Sequence, residues 1–325
     1  MSAGAAPRVS VGLPVYNGER YLREALDGVL GQSYADLELV VSDNASTDGT
    51  EAICREYAAR DARLRYHRQP RNMGAVCNFN RAFELARGEY FMWAAFDDRR
   101  NPEYLARCVP VLETRPEVVL CCTDVLPIDE DGAPLGDPEW PGGIRPVGAT
   151  PGDRAAAVAR ASFWYDFYGL MRAEVLRKVM PLRAVWGFDV VLTLDMCLRG
   201  EVAAIAEPLF EYRVFRRKTQ EDLAQTLAPE SQGGILVNNI ELAVALVERC
   251  LAAPLSPLER VRAARRVYRE FCLRNPIVRP ILERELATPR PPVHRSPARR
   301  AAMAALRARL RAGQRARGVS ARLRG

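Results

Sequence analysis

No stretch of this 325-residue chain approaches the roughly 18–20 consecutive apolar residues of a membrane span. The opening MSAGAAPRVS lacks the apolar core of a secretory signal and runs straight into a strand-like segment, so no leader is expected there. The eight cysteines form no CxxC pair and no repeated spacing. That argues against a disulfide framework or a zinc site, and for free buried thiols in a reducing cytosol. From Arg290 to Gly325 there is no acid and no lysine, only 11 arginines. Without that end, the 47 basic residues drop to 36 against 40 acids, so the formal charge of +7 conceals a mildly acidic body. A nucleic-acid-binding domain needs a basic face with interleaved aromatics, and none is visible. Internal repeats are absent too. What remains is ample apolar content, 48%, for one large domain with additions.

Within that body, strand-like and helix-like segments alternate. Val9–Leu13, Leu37–Val41, Leu64–His67, Tyr90–Ala95 and Val118–Val125 read as strands. Between them, Tyr21, Leu22, Ala25, Leu26, Val29 and Leu30 recur at helical spacing behind a candidate cap, Asn17. Ser46 or Thr47 is a candidate cap for a helix through Ile53 and Tyr57. A third helix is expected from about Ala75 to Ala86, and Asn101-Pro102 opens a fourth. Such alternation predicts an α/β fold with a mostly parallel, Rossmann-like central sheet flanked by helices. Ligands bind such sheets at the carboxyl ends of the strands. Further on, a strand is expected at Phe167–Met171, then a helix ending near Met180. A helix from near Asp189 to Gly200 follows, and two strands at Val202–Ile205 and Leu209–Val214. Ile235–Leu251 and Pro257–Leu273 read as amphipathic helices.

The expected strand ends carry unusual chemistry: Pro14-Val15-Tyr16-Asn17, Asp43, and Asp97-Asp98. Two adjacent carboxylates repel unless a cation offsets them. Mg²⁺ is typically held by one or two carboxylates together with substrate phosphates. Asp43 could accept from a pyrimidine N–H or a ribose hydroxyl. Asp189, in the first turn of its helix beside Trp186 and Phe188, could act as a general base. Each acid also has a purely local use, as a turn or capping residue, and taken singly none decides between the two.

Taken in order, Pro-x-Tyr-Asn, Asp-Asn-Ala-Ser-Thr-Asp-Gly-Thr, Arg71-Asn72-Met73-Gly74, Ala-Arg-Gly-Glu-Tyr and Asp-Asp closely resemble the inverting glycosyltransferases of family 2, over about residues 8–215. The resemblance implies a GT-A fold and sugar transfer from a nucleoside-diphosphate donor, UDP- or dTDP-linked, to a hydroxyl acceptor on a polysaccharide, lipid-linked glycan or secondary metabolite. It implies that Pro14, Tyr16 and Asn17 line the nucleotide pocket, that Asp43 recognises the base, and that Asn72 and Gly74 lie beside the nucleotide. Asp97 and Asp98 match the metal motif for Mg²⁺ or Mn²⁺, with Asp98 the direct ligand. Asp189 matches the catalytic base. Tyr168–Arg172 resembles the segment that shapes the acceptor side.

The chain departs from the family pattern in places. Ala95 stands where many relatives carry a third acid, and Phe215 where a histidine often follows the Tyr-Arg strand. Arg216, Arg217 and Lys218 could offer positive charge to the diphosphate instead. The Gln-x-x-Arg-Trp motif of processive members is absent, which favours single additions. The expected division is a domain over 1–217, with a donor half (1–126) and an acceptor half (127–217), then a helical extension over 218–289. The tail 290–325 is expected to be disordered or a peripheral helix on an anionic membrane, with the protein cytoplasmic or at the inner membrane face. Two rivals stand beside this reading. A non-catalytic sugar-nucleotide binder would tolerate loss of Asp189. A sugar-phosphate nucleotidyltransferase would want a glycine-rich basic phosphate loop, which Gly12–Gly18 is not.

Overall fold

The structure is a computed structural model and describes residues 6–136, 150–161, 165–215, 234–276 and 278–280. Arg216, Arg217, Lys218, Phe163, Trp164 and the arginine-rich tail lie outside the described residues.

One eight-stranded sheet organises the chain, in the order β3-β2-β1-β4-β7-β6-β8-β5. Its first half is parallel: β1 (Val9–Val15), β2 (Leu37–Asp43), β3 (Leu64–Arg68) and β4 (Tyr90–Trp93). The second half mixes directions. Short β7 (Leu170–Arg172) runs antiparallel between β4 and β6 (Val118–Ile128), while β8 (Glu201–Arg213) pairs parallel with β6. The two-residue β5 (Arg99–Arg100) closes that edge against β8.

β4 shows why these strands read as unbroken apolar runs. Tyr90 and Met92 point into a core with α1 (Leu22–Leu30), α2 (Thr50–Arg60) and α4 (Tyr104–Thr114). Phe91 and Trp93 point into another with α3 (Ala75–Glu84), short α6 (Ala173–Leu176) and α7 (Phe188–Arg199). Side chains alternate across a strand, so burial on both faces demands apolar residues at every position. A third core joins α5 (Pro151–Arg160) and the opposite side of α7 to α8 (Gly234–Ala252) and α9 (Pro257–Arg274). α7 therefore lies between two cores, and ten of its twelve residues are buried.

Several local expectations are corrected. Asn17 does not cap α1; it has φ 52° and its Oδ1 accepts from Thr47 N, so α1 starts only at Leu22. Neither Ser46 nor Thr47 caps α2. Ser46 Oγ accepts from Asn17 N instead, and Asp48 receives Thr50 N. The helix after Asn101-Pro102 begins at Tyr104, because Asn101 O and Oδ1 take the amides of Tyr104 and Glu103 in a turn. Phe167 and Tyr168 belong to a 3₁₀ turn ahead of β7, and α6 spans four residues only. The two strands expected after α7 are one long strand whose pairing slips near Pro208, which has no amide to donate. All eight thiols are free, and all but Cys77 are buried.

Candidate active site

The carboxyl ends of β1, β2 and β4 lie at one end of the sheet, and short-range hydrogen bonds weld their loops together. Asn44 N donates to Val15 O, and Asn78 in α3 donates to both Val15 O and Ser42 O. Asn17 exchanges bonds with Ser46 and Thr47, while Gly18 N donates to Thr50 Oγ1. Asn72 Oδ1 accepts from Asn44 Nδ2 and Gly74 N, and Gly74 takes φ 84°, which a side chain would oppose. Pro14, Tyr16, Asn17, Asp43, Asn72 and Gly74 are thus gathered on three adjoining loops. Of these Pro14 and Asp43 are buried, whereas Tyr16, Asn17 and Asn72 are exposed.

Asp43 is held from three sides. Its Oδ1 accepts from Ser46 N at 2.8 Å; its Oδ2 accepts from the Tyr66 hydroxyl at 2.6 Å and from Arg68 at 2.8 Å. Arg68 and Tyr66 were not singled out from the sequence. The signal was there, since both stand at the end of an expected strand neighbouring Asp43.

The acidic pair follows β4, which lies two strands along from β2, and stands just ahead of β5. Phe96, just before it, abuts the first loop: a Cβ on Gly18 would stand 2.8 Å from the ring. Asp98 is buried. Its Oδ1 accepts from Arg213 N at 2.9 Å, but its Oδ2 has no hydrogen-bond partner and no solvent contact. Burial, and then the neighbouring Asp97 charge, push its carboxyl up to about 8. An orphaned buried carboxylate oxygen is costly unless something pairs with it. A hard divalent cation fits that atom. Asp97 is half-buried, and its carbonyl accepts from Arg213 Nε at 2.7 Å.

Arg213 is the strongest omission of the sequence reading. Fully buried, it reaches Asp97 O, Asp129 O, Glu130 O and Glu24 Oε2, and its guanidinium lies 4.4 Å over the Tyr21 ring. A charged side chain at an inward position of an otherwise half-apolar strand was the available clue. Arg100 is also buried, 3.4 Å over the Phe210 ring, with its charge bearing on Asp98.

Asp189 occupies the first turn of α7, behind Gly187, whose φ of 75° sets the helix entry. Burial raises its carboxyl to about 6, against the pull of the helix-start amides. Asp97, Asp98 and Asp189 all act on the hydroxyls of Tyr168 and Tyr212, which burial already holds above the ordinary phenol value. Carboxylates from two distant parts of the chain, 97–98 and 189, therefore lie within electrostatic reach of the same two phenols. Among the described residues no cluster of three or more His, Cys, Asp or Glu forms a ready metal cage. A cavity of about 10 Å³ lies elsewhere, between α7 and Arg249; it has room for about one water and belongs to helix packing.

The glycosyl transferase family 2 profile matches residues 10–179. The chain belongs to that family. It is 41% identical over 201 residues to the uncharacterized protein Rv1520 of Mycobacterium tuberculosis (strain ATCC 25618 / H37Rv), covering 61% of this chain and 56% of that protein. It thus spans little more than half that relative's length. It is 35% identical over 196 residues to the putative glycosyltransferase EpsE of Bacillus subtilis (strain 168), covering 60% of this chain and 67% of EpsE. Among solved structures, Staphylococcus aureus TarS 1–349 in complex with UDP-GlcNAc superposes with a TM-score of 0.64 at 18% identity, over 82% of this chain and 72% of that one. The mannosyltransferase PcManGT of Pyrobaculum calidifontis, in complex with GDP-Man and Mn²⁺, gives 0.52 at 21% identity, over 93% and 85%. The fold is that of the GT-A glycosyltransferases.

Proposed function

We propose that this chain transfers a sugar from a nucleoside-diphosphate donor to a hydroxyl acceptor, with inversion at the anomeric carbon. The observation that carries the reading is the buried Asp98 oxygen left without a hydrogen-bond partner, with Asp97 and Asp189 within electrostatic reach of the same tyrosines, Tyr168 and Tyr212.

The nucleotide would lie across the three loops of the parallel half. Tyr16 offers an exposed aromatic face there, and Asn17, Asn72 and Gly74 line the adjoining loops. Asp43, oriented by Tyr66 and Arg68, keeps Oδ1 with a single donor, which leaves a lone pair for a base N–H. Structural neighbours are described with UDP-GlcNAc and with GDP-Man, which supports a nucleotide-sugar donor; a UDP- or dTDP-sugar remains our reading for this chain.

Asp98 and Asp97 would hold a Mg²⁺ or Mn²⁺ ion, which supplies positive charge to the leaving diphosphate. Asp189 takes the proton from the acceptor hydroxyl as that oxygen attacks. Its raised affinity for protons suits the task, because a base poised near the working pH is both ionised and effective. Tyr168 and Tyr212, within electrostatic reach of both the base and the acidic pair, would line the space between them. Free buried thiols fit action in the reducing cytoplasm.

The test is a thermal-shift panel of UDP-, dTDP- and GDP-sugars with and without Mn²⁺, paired with turnover by Asp189→Asn. We expect a metal-dependent shift with one nucleotide class, and turnover reduced about 10²–10⁴-fold with nucleotide binding retained. Full transfer by Asp189→Asn would overturn the base assignment. No shift with any nucleotide would overturn the donor assignment.

A further inference from the structure

We infer that the outer face of α9 is a docking surface for an anionic lipid bilayer. Five large apolar side chains are exposed among the described residues, and three of them stand on this one helix: Leu258 (59%), Val261 (37%) and Leu273 (67%). The other two, Tyr16 and Met73, belong to the nucleotide loops. On a helical wheel Leu258, Val261 and Leu273 share a single arc with Arg262, Arg265, Arg266 and Arg269, all exposed. The opposite side, through Ala263, Ala264, Val267 and Phe271, is spent on the third core. α9 is therefore not amphipathic in the usual sense of one wet face. Its solvent side mixes arginine with isolated aliphatic residues.

Charge identifies the occupant. α9 carries six arginines against two glutamates, on a body whose residues 1–289 are acidic overall. Glu259 and Glu270 lie at the margins; Glu270 pairs with Arg269, Glu259 bears on Arg262 and Arg266 meets Asp153 of α5, so four arginines of the arc stand against three acids and a small positive excess remains. The sequence then adds 11 arginines and no acid between Arg290 and Gly325. A phosphate-rich surface complements such a face. Exposed leucines contribute nothing to contacts with a nucleic-acid backbone, whereas they enter the headgroup–acyl boundary of a membrane. The contact is carried by the side chains of α9, to which the arginines of 290–325 add charge of the same sign, and it needs no catalytic reading.

The experiment is co-sedimentation of the full chain with vesicles of phosphatidylcholine alone and of phosphatidylcholine with 30% phosphatidylglycerol, at low and high salt. Binding is expected only to the anionic vesicles and to weaken with salt. Each arginine near an anionic leaflet is worth about fivefold in partitioning, so Arg262→Gln/Arg265→Gln/Arg269→Gln should bind roughly a hundredfold less. Leu258→Ser/Leu273→Ser should reduce binding to anionic vesicles while leaving its salt dependence in place. Thermal melting of each variant confirms that the fold is kept. Equal binding to both vesicle types overturns the inference. So does unchanged binding of the arginine variant, which would assign the contact to the intact tail, or tighter binding to RNA than to vesicles at equal salt.

Discussion

At the scale of single residues, the site is defined by what burial does to carboxylates. Asp189 sits at a helix start, which favours the ionised form, yet desolvation prevails and holds it near 6. Only the deprotonated carboxylate accepts a proton, so the pH profile of kcat/KM should rise with a midpoint near pH 6 and level off above it. Asp189→Asn should flatten that acid limb; an unshifted limb in the variant would place the titration elsewhere. Asp98→Asn should weaken Mn²⁺ binding by at least tenfold in calorimetry, since it removes the negative charge of a buried carboxylate whose Oδ2 has no other partner. The places of Asp43 at the end of a strand, of Asp97 and Asp98 beyond one and of Asp189 at a helix start were legible in the sequence. Their partners were not. Arg213 and Arg68 pair with residues 116 and 25 positions away, and no local pattern encodes a contact across that distance.

At the scale of elements, α7 decides how firmly Asp189, the base we propose, is placed. A Cβ on Gly187 would stand 2.8 Å from Leu242 of α8, at a φ that side chains resist. Gly187→Ala should cost about 1–3 kcal/mol and lower kcal-scale stability and kcat together. Asp195, one helical turn and a half further along, is buried between Arg199 and Arg249, each at 3.0 Å. Arg249→Leu would leave Asp195 with one cation and should cost about 3 kcal/mol, read as a lower Tm. The parallel strands make a second case. Glu38 is buried in β2; burial opposes its ionisation, but bonds from Arg87, Ser10 and Arg65 outweigh it and hold the carboxyl below its usual range. A lowered folded value means its stabilisation is present above about pH 4.5 and lost as pH falls further. Glu38→Gln should therefore melt earlier at pH 7, with a gap to wild type that narrows in acid. Element positions in this half followed from periodicity. The caps did not, because Asn17, Ser46 and Asn101 bond across loops or within turns rather than to the nearest helix.

At the scale of the whole molecule, the third core changes what counts as a unit. The expected boundary at residue 217 runs between α7 and the helices that cover it. Ala155, Val158, Val190, Leu194 and Cys197 are buried against α8 and α9. A chain ending at 217 would bare them to water, and at roughly 1.5–3 kcal/mol for each large apolar side chain the loss exceeds ordinary stability margins. We expect that truncation to be insoluble or strongly dye-binding; a soluble, fully active fragment would show the extension to be dispensable. Strand-helix alternation announced the sheet and its binding end. It could not announce this packing, since amphipathic helices state which face is apolar but not what it meets.

Arg213 carries one further consequence. Its guanidinium spans the start of α1, the corner after β4 and the turn at residues 129–130, and its own amide grips Asp98. Arg99 adds links from the same corner to Glu24 and to Gly132 O, so these pieces are coupled and do not loosen one at a time. Occupation of the acidic corner should then be sensed at Glu24 and at Glu130 without any rearrangement of the sheet, and the exchange rate of one backbone proton, that of Arg213, should gauge how often the corner opens.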